Sequence, residues 1–256
     1  MFLLINKPKG ITSHDVIDKI RKITGEKKVG HAGTLDPMAT GLLIVAVSRE
    51  STKKLGLLLI NKKEYLAEIT LGEERETDDK EGYRVPISNF QFPIKTKISE
   101  PAISKILRSF VGEQKQVPPI YSAIKIKGRK AYEIARRGEK INLKSRKITI
   151  YSIKLLNYSY PILRIEVEVS SGTYIRALAR DIGRKLGCGA YLSDLVRTKI
   201  GNFKLESSVD LDKLNKDNWE KYVVSLKLNP KSKFQMSNDE YITHRTRFKT
   251  RLSSSF

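Results

Sequence analysis

The chain has 256 residues, 39% of them hydrophobic, which suits one large domain or one domain with a small appendage. Its apolar runs are too short to cross a bilayer, and one cysteine with three histidines excludes an internal disulfide and gives no zinc-ligand spacing. The net charge of +21 points to a polyanionic partner, nucleic acid ahead of an anionic membrane surface, although a lysine-rich composition accounts for part of it. We expect a cytoplasmic protein in which Cys188 is a small buried residue.

The first fifty residues predict two strands and a helix. Residues 2–6 form an apolar run with no basic region before it, so we expect a first strand there and not a signal peptide. Thr12 and Asp15 have the spacing of a capping box, and apolar residues then recur at helical intervals, so a helix is expected over Ser13–Thr24. Two segments follow: a glycine-rich loop over residues 30–41 and a buried strand over residues 41–47.

The rest of the chain mixes strands and helices. Tyr65, Ala67 and Ile69 share one face of a strand predicted over residues 64–71. Such alternating strands between helices predict an α+β fold with a mixed, largely antiparallel sheet flanked by helices. The other predicted elements are an acidic loop over residues 73–81, a helix opening at Ser99 and Pro101 and closing at Gly112, a strand over residues 163–169, and a helix ending at Gly187 with Arg176, Arg180 and Arg184 along one face.

Residues 114–147, here called the basic segment, carry eleven basic residues against two acidic ones. Tyr121 and Tyr132 lie among them, and basic residues interleaved with aromatics suit a surface that grips phosphates and packs on sugars or bases. A merely solvated face would mix in more acidic residues. The basic residues are Lys115, Lys125, Lys127, Arg129, Lys130, Arg136, Arg137, Lys140, Lys144, Arg146 and Lys147.

The string GHAGTLDPMATG, residues 30–41, places Asp36 in a glycine-rich loop before a buried strand. Pro37 disfavours the helical conformation at Asp36, and the loop can hold its carboxylate at a sheet edge. On its own, an Asp-Pro pair is typical of a simple turn.

Five strings together closely resemble the bacterial tRNA pseudouridine-55 synthases, the TruB-type family, over roughly residues 2–224. The resemblance implies a pseudouridine-synthase-like fold in which the basic segment is an RNA-gripping insertion. The strings are FLLINKPKGITS (residues 2–13), GHAGTLDPMATG (residues 30–41), EYLAEITLG (residues 64–72), VPPIYSAIK (residues 117–125) and SGTYIRALARDIG (residues 171–183).

By this resemblance, Asp36 is the nucleophile that isomerises a tRNA uridine to pseudouridine, with no cofactor and no metal. The carboxylate either adds to the ring or assists departure of the base. Arg176 is implied to be its partner, since a guanidinium favours the ionised carboxylate, while Arg180 and Arg184 are expected to make phosphate contacts or surface ion pairs. Tyr65 is implied to be catalytic: it packs on the target base and helps to remove the C5 proton, with core packing as its alternative role.

The resemblance also implies substrate-binding residues. Tyr174 and Leu195 line the base pocket or, alternatively, belong to the core, and Asp79 contacts the flipped RNA. His31 fills space near the flipped nucleotides, because the target uridine must leave its stack to meet the nucleophile. In the basic segment, the residues expected to clamp the T-arm of tRNA are Lys125, Lys127, Arg129 and Lys130.

The expected organisation is a catalytic domain over residues 1–225 and a short tail or reduced RNA-binding appendage over residues 226–256. The family's usual C-terminal RNA-binding domain is longer. This short tail argues against the guide-RNA-dependent synthases of archaea and eukaryotes, which work with partner proteins. We therefore expect a monomer with no obligatory protein partner and no membrane contact. A non-catalytic tRNA-binding or tRNA-folding protein is the alternative from a different class.

Overall fold

The computed structural model describes residues 1–59, 61–85, 98–126, 128–139 and 141–224. Its helices are α1 Ser13–Thr24, α2 Arg49–Lys53, α3 Leu55–Leu59, α4 Glu100–Arg108, α5 Ala131–Ala135 and α6 Ile175–Leu186, with 3-10 turns at Leu205–Ser207, Leu211–Lys213 and Trp219–Tyr222. Its strands are β1 Phe2–Lys7, β2 Val29–His31, β3 Thr40–Val47, β4 Lys63–Leu71, β5 Glu74–Arg75, β6 Arg84–Val85, β7 Gly112–Gln116, β8 Lys125–Ile126, β9 Arg129–Lys130, β10 Arg146–Ser159, β11 Ile162–Val169, β12 Ala190–Ile200, β13 Phe203–Lys204, β14 Val209–Asp210 and β15 Val223–Val224.

The molecule is built on one large sheet with the strand order β14-β1-β3-β12-β4-β11-β10-β7. Three short strands also pair within it: β2 with β3, β13 with β12 and β15 with β1. The β1–β14 and β3–β12 pairs are parallel, and the other pairs in the sheet are antiparallel. The predicted α+β fold with a mixed, largely antiparallel sheet is therefore confirmed. The parallel β3–β12 pair lies inside the sheet, and this junction carries the site.

Local signals set the ends of the two longest helices. In α1, the Thr12 side chain accepts a hydrogen bond from the Asp15 backbone N–H, and the Asp15 carboxylate accepts one from the Thr12 N–H. Gly25 ends this helix in the left-handed conformation, at φ 73°, where a residue without Cβ has no steric penalty. Gly187 ends α6 in the same way. The predicted limits of α1 and the predicted end of α6 are confirmed.

The sheet buries apolar residues on both faces. On one face, α4 and α6 pack on β4, β10, β11 and β12, and α1 packs on β1 and β3. On the other face, Leu58 of α3 packs with apolar residues of β1, β3, β12 and β13. The alternation of β4 follows from this layering, since Tyr65, Ala67 and Ile69 face the helices. Burying one aliphatic side chain such as Ile182 in this layer contributes about 1.5–3 kcal/mol. Cys188 is buried and free, as expected.

Two element predictions differ from the structure. The helix that begins after Ser99 ends at Arg108, and Gly112, at φ 106°, begins β7 instead of closing the helix. The two ends of the basic segment are not part of an insertion, because β7 and the start of β10 pair with each other in the main sheet. The described residues between these two strands, among them 117–126 and 128–139, contribute no strand to the main sheet.

Two long strands, β10 and β12, were not predicted. Much of β10 is exposed or half-buried, and β12 carries charged residues within its apolar pattern, including a buried arginine. Within the described ranges, no helix is long and apolar enough to cross a membrane. The proposed boundary at residue 225 coincides with the end of the described residues, so the catalytic domain over residues 1–225 and the tail over residues 226–256 stay predictions.

Candidate active site

A cleft of about 650 Å³ opens where β3, β4 and β12 meet the N-terminus of α6. Its walls come from the loop between β2 and β3, the end of α3, strands β4 and β12, the loop after β5, the basic segment, and the start of α6 with the residues before it. Its lining includes Asp36, Tyr65, Asp79, Tyr174, Arg176 and Leu195. The structure thus brings together six of the predicted site residues, although they span 160 positions of the sequence.

Asp36 faces Arg176 at the floor of the cleft. Nη2 of Arg176 donates a hydrogen bond of 3.2 Å to Oδ1, and Nε lies 2.9 Å from Oδ2 at an angle too bent for a hydrogen bond. The Arg176 side chain is 7% exposed and that of Asp36 is 34% exposed. The guanidinium is therefore buried behind the carboxylate, which keeps one side open to the cleft.

Arg176 also joins two other walls of the cleft. Its Nη1 donates to the backbone oxygen of Thr77 at 3.0 Å and lies 3.2 Å from Oδ2 of Asp79. Its Nη2 donates to the backbone oxygen of Tyr121, in the basic segment, at 3.0 Å. A planar group with several fixed donors can hold such divergent acceptors at once. One side chain on α6 therefore sets the positions of the carboxylate, the loop after β5 and the start of the basic segment.

The loop around Asp36 is fixed by short-range contacts. The Ser13 hydroxyl accepts a hydrogen bond from the Leu35 N–H at 2.9 Å and donates to the Leu35 oxygen at 3.0 Å. The backbone oxygen of Pro37 accepts from the Gly10 N–H at 2.8 Å. The residues on both sides of the carboxylate are thus held by the turn and the helix that follow β1.

The three predicted pocket residues, Tyr65, Leu195 and Tyr174, are held in place by different contacts. Tyr65 and Leu195 are buried in the core and also line the cleft, so both roles considered for them are compatible with the structure. Tyr174 lies just before α6, where its backbone N–H and oxygen both bond to the Gln116 side chain, at 2.9 and 3.1 Å. Burial raises the pKa of the Tyr174 hydroxyl, which stays neutral near pH 7.

Asp79 and His31 are less available to a ligand. The Asp79 carboxylate is buried and accepts bonds from the Thr77 hydroxyl at 2.6 Å and the Glu81 N–H at 3.0 Å. His31 ends β2, half-buried and outside the residues that line the cleft. Burial, then the nearby charge of Arg197, lowers the pKa of His31 and favours the neutral ring. RNA contacts by both residues stay predictions.

The basic segment reaches the cleft with residues other than the four singled out from sequence. Lys125, Arg129 and Lys130 lie in the β8–β9 hairpin and do not line the cleft, and Lys127 lies outside the described residues. Arg129 forms an ion pair of 2.7 Å with Glu139. The part of the basic segment that lines the cleft is Tyr121, Ser122, Ala123, Tyr132 and Arg136.

The other two arginines of α6, Arg180 and Arg184, have different surroundings. Arg180 is buried, pairs with Asp78 at 2.8 Å and donates to the Val117 oxygen at 2.9 Å, so the prediction of a phosphate contact or a surface ion pair is wrong for it. Arg184 makes an exposed ion pair with Glu74 at 2.7 Å, which fits the prediction. Burial raises the pKa of Asp78 to about 6, against the opposing charge of Arg180.

Sequence reasoning missed three buried cations beside the cleft: Lys7, Lys63 and Arg197. Burial lowers the pKa of Lys7 and of Lys63 to about 8. Lys7 donates to the Pro37 oxygen at 3.4 Å, and Lys63 lines the cleft. The only available signal was a charged residue inside an apolar strand pattern. No three His, Cys, Asp or Glu side chains in the described part of the chain converge in a way that could hold a metal ion.

Two family models match the chain: the TruB family pseudouridylate synthase N-terminal domain over residues 21–175, and the tRNA pseudouridylate synthase B C-terminal domain over residues 176–229. The latter range includes α6 and β12, which belong to the main sheet and its helix layer.

Curated relatives agree. The chain is 44% identical to the tRNA pseudouridine synthase B of Desulfotalea psychrophila, covering 86% of this chain and 90% of that protein. It is 41% identical to that of Clostridium tetani, covering 93% and 81%. Among solved structures, Cbf5 in a Cbf5-Nop10-Gar1 complex matches with a TM-score of 0.65 at 32% identity, over 85% of this chain but only about half, 54%, of the Cbf5 chain. The chain thus belongs to the TruB family of pseudouridylate synthases.

Proposed function

We propose that the protein isomerises the uridine at position 55, in the T-loop of tRNA, to pseudouridine. The observation that carries this proposal is the half-open Asp36 carboxylate, backed by the buried Arg176 at the floor of a cleft large enough for a flipped nucleotide. The tRNA pseudouridine synthase B relatives support tRNA as the substrate. The choice of position 55 rests on the family resemblance.

The reaction moves the uracil from one carbon–nitrogen bond to one carbon–carbon bond on the same ribose. The bond between C1′ and N1 breaks, the ring turns, and a bond forms between C1′ and C5. C5 then loses its proton and N1 gains one, so nothing is oxidised and no second substrate is consumed. An ionised carboxylate at Asp36 can add to the ring or bond to C1′ as the base departs, and its ion pair with Arg176 orients it.

The remaining lining residues have roles that follow from their chemistry. Tyr65 offers a ring that packs on the flipped base and a hydroxyl that can assist removal of the C5 proton. Leu195 and Tyr174 shape the pocket, and Asp79 with His31 meets the displaced RNA. The clamp on the T-arm comes from Lys125, Lys127, Arg129 and Lys130 together with the cleft-lining part of the basic segment. We propose a monomeric cytoplasmic enzyme that acts without cofactor, metal or protein partner.

The test uses the purified protein and a T-arm hairpin that carries tritium at C5 of the target uridine. Conversion releases the tritium to water, and we expect release in excess EDTA with no added nucleotide or redox cofactor. A hairpin with cytidine at the target position is the matched control and should release none.

The alternative function is that of a tRNA-binding or tRNA-folding protein without catalysis, which the basic segment would serve equally well. Tight hairpin binding with no tritium release would favour that alternative and contradict the enzymatic proposal. Release that needs an added metal, with the RNA still folded, would contradict the cofactor-free mechanism alone.

A further inference from the structure

Arg197 is an arginine with 1% of its surface exposed, in the middle of the central strand β12. It has no carboxylate partner among the described residues, because its hydrogen bonds all go to backbone oxygens. Burying a charge costs desolvation free energy unless fixed acceptors bond to its donors. The backbone oxygens that bond to Arg197 offset this cost.

The three acceptors flank the nucleophile loop on both sides. Nη2 donates to the Gly33 oxygen at 3.0 Å and Nη1 to the Thr34 oxygen at 3.5 Å, three and two residues before Asp36. Nε donates to the Leu42 oxygen at 2.8 Å, in β3 after the loop. One guanidinium therefore ties the entry of the loop to its exit.

The backbone of Arg197 is fixed as closely as its side chain. It lies opposite Gly41 in the parallel β3–β12 pairing, where a Cβ on Gly41 would come within 2.4 Å of the Arg197 oxygen. On the other side it lies opposite Tyr65 in the antiparallel β4–β12 pairing. One strand position thus connects the loop that holds the nucleophile with Tyr65, which lines the same cleft.

We propose that Arg197 is a positioning residue for the nucleophile: its guanidinium holds the Asp36 loop at a fixed distance from the bound uridine. This inference rests on the proposed function. A lysine cannot replace it fully, because an ammonium is a compact charge without the planar fork that reaches three diverging oxygens. A displacement of about 1 Å at a reacting group costs on the order of a hundredfold in rate.

The test compares Arg197→Met with Arg197→Lys in the full chain. The rate constant is measured in a single turnover at saturating T-arm hairpin, the hairpin Kd by filter binding, and the folded fraction by circular dichroism at the assay temperature. We expect Arg197→Met to lower the rate about a hundredfold with the Kd changed less than threefold, and Arg197→Lys to recover part of the rate.

Arg180→Met is the matched control, because Arg180 is also buried and donates to a backbone oxygen but does not touch the Asp36 loop. It should lose comparable thermal stability with a much smaller loss of rate. If Arg197→Met reacts within threefold of the wild type, the proposal is overturned. It is also overturned if both variants lose rate in proportion to stability. If Arg197→Met does not fold, Arg197→Lys decides: a rate equal to the wild type contradicts the positioning role. An inactive wild type would refute the proposed function instead.

Discussion

The nucleophile loop, residues 33–39, and the projecting part of the basic segment, residues 117–139, serve the same cleft but are built differently. The loop is held by buried donors that converge on its backbone, from Ser13, Lys7 and Arg197. The projecting part has two-residue strands and a five-residue helix. Most of the charged side chains described in this part are exposed.

The two regions differ because chemistry at the carboxylate and binding of phosphates require different degrees of rigidity. A bond-forming carboxylate needs a geometry fixed to within a fraction of an ångström, which only a densely bonded backbone provides. Binding of a phosphate backbone depends on the number and spread of charges, and it tolerates side chains that are free to move. Substitutions in the loop region should therefore change the rate at saturating RNA, whereas those in the projecting part should change affinity and its salt dependence.

The largest effect is expected from Asp36→Asn. The amide keeps the size of the side chain but is not a nucleophile, so pseudouridine formation should fall at least about a thousandfold while the hairpin Kd stays within about threefold. Tritium release and filter binding measure the two quantities. Asp212→Asn, at an exposed position, is the matched control and should behave as the wild type. Appreciable turnover by Asp36→Asn would remove the residue from the chemistry.

Arg176→Lys should come next, with a rate about a hundredfold lower at saturating RNA. The ammonium keeps the charge but cannot serve Asp36 and the backbone oxygens of Thr77 and Tyr121 together. Arg184→Lys, on the same helix in an exposed ion pair, is the control and should change the rate less than about twofold. Equal rates for the two variants would show that the guanidinium geometry at the cleft floor is unimportant.

A moderate effect, on affinity, is expected when Lys125, Lys127, Arg129 and Lys130 are all changed to glutamine. The slope of log affinity against log salt should flatten by about 0.9 for each duplex phosphate that the variant no longer neutralises, with weaker binding to every tRNA alike. Arg129 contributes least, because Glu139 already neutralises it. The rate at saturating RNA should change little, because the described members of this set do not line the cleft.

The control for this fourfold variant removes the same number of charges elsewhere. Lys19, Lys22, Lys27 and Lys28 lie on and just after α1, on the protein surface, and none lines the cleft. When these four lysines are changed to glutamine, the slope of log affinity against log salt should stay steeper than in the variant of the hairpin residues. Identical slopes and affinities for the two sets would take the hairpin out of the RNA interface.

The smallest effect concerns stability and pH. The folded pKa of Lys63 is lowered to about 8 by burial, against about 10.5 in the unfolded chain, so between these values the unfolded chain binds the extra proton. Stability contributed by this residue therefore rises with pH through this window. The free energy of unfolding of the wild type minus that of Lys63→Met should increase by about 2 kcal/mol from pH 7 to pH 10.

Urea unfolding at several pH values measures this difference. Lys125→Met provides the comparison from the projecting part, and since this lysine is exposed, its difference from the wild type should stay flat. A flat difference for Lys63→Met as well would mean that the ammonium is not held in a low-polarity environment.

The sequence by itself determined the elements whose signals are local. The limits of α1 follow from a capping box and a terminal glycine a few residues away, and the alternation of β4 and β11 follows from a period of two. The string around Asp36, with four others in order, predicted the family to which the chain belongs. None of these inferences needs contacts between distant parts of the chain.

Only the tertiary structure decided which charged side chains are buried and which acceptor groups they bond to. Arg176, on α6, meets Asp36 across 140 positions. Arg197 meets Gly33 across 164, because the strand β12 that carries it lies next to β3. In the sequence pattern, Arg180 resembles Arg176 and Arg184 on the same helix. In the structure, it is buried and bonds to Asp78 and to the Val117 oxygen. An arginine's position in a sequence pattern does not reveal its acceptors, since the oxygens that offset its desolvation come from strands paired far apart along the chain.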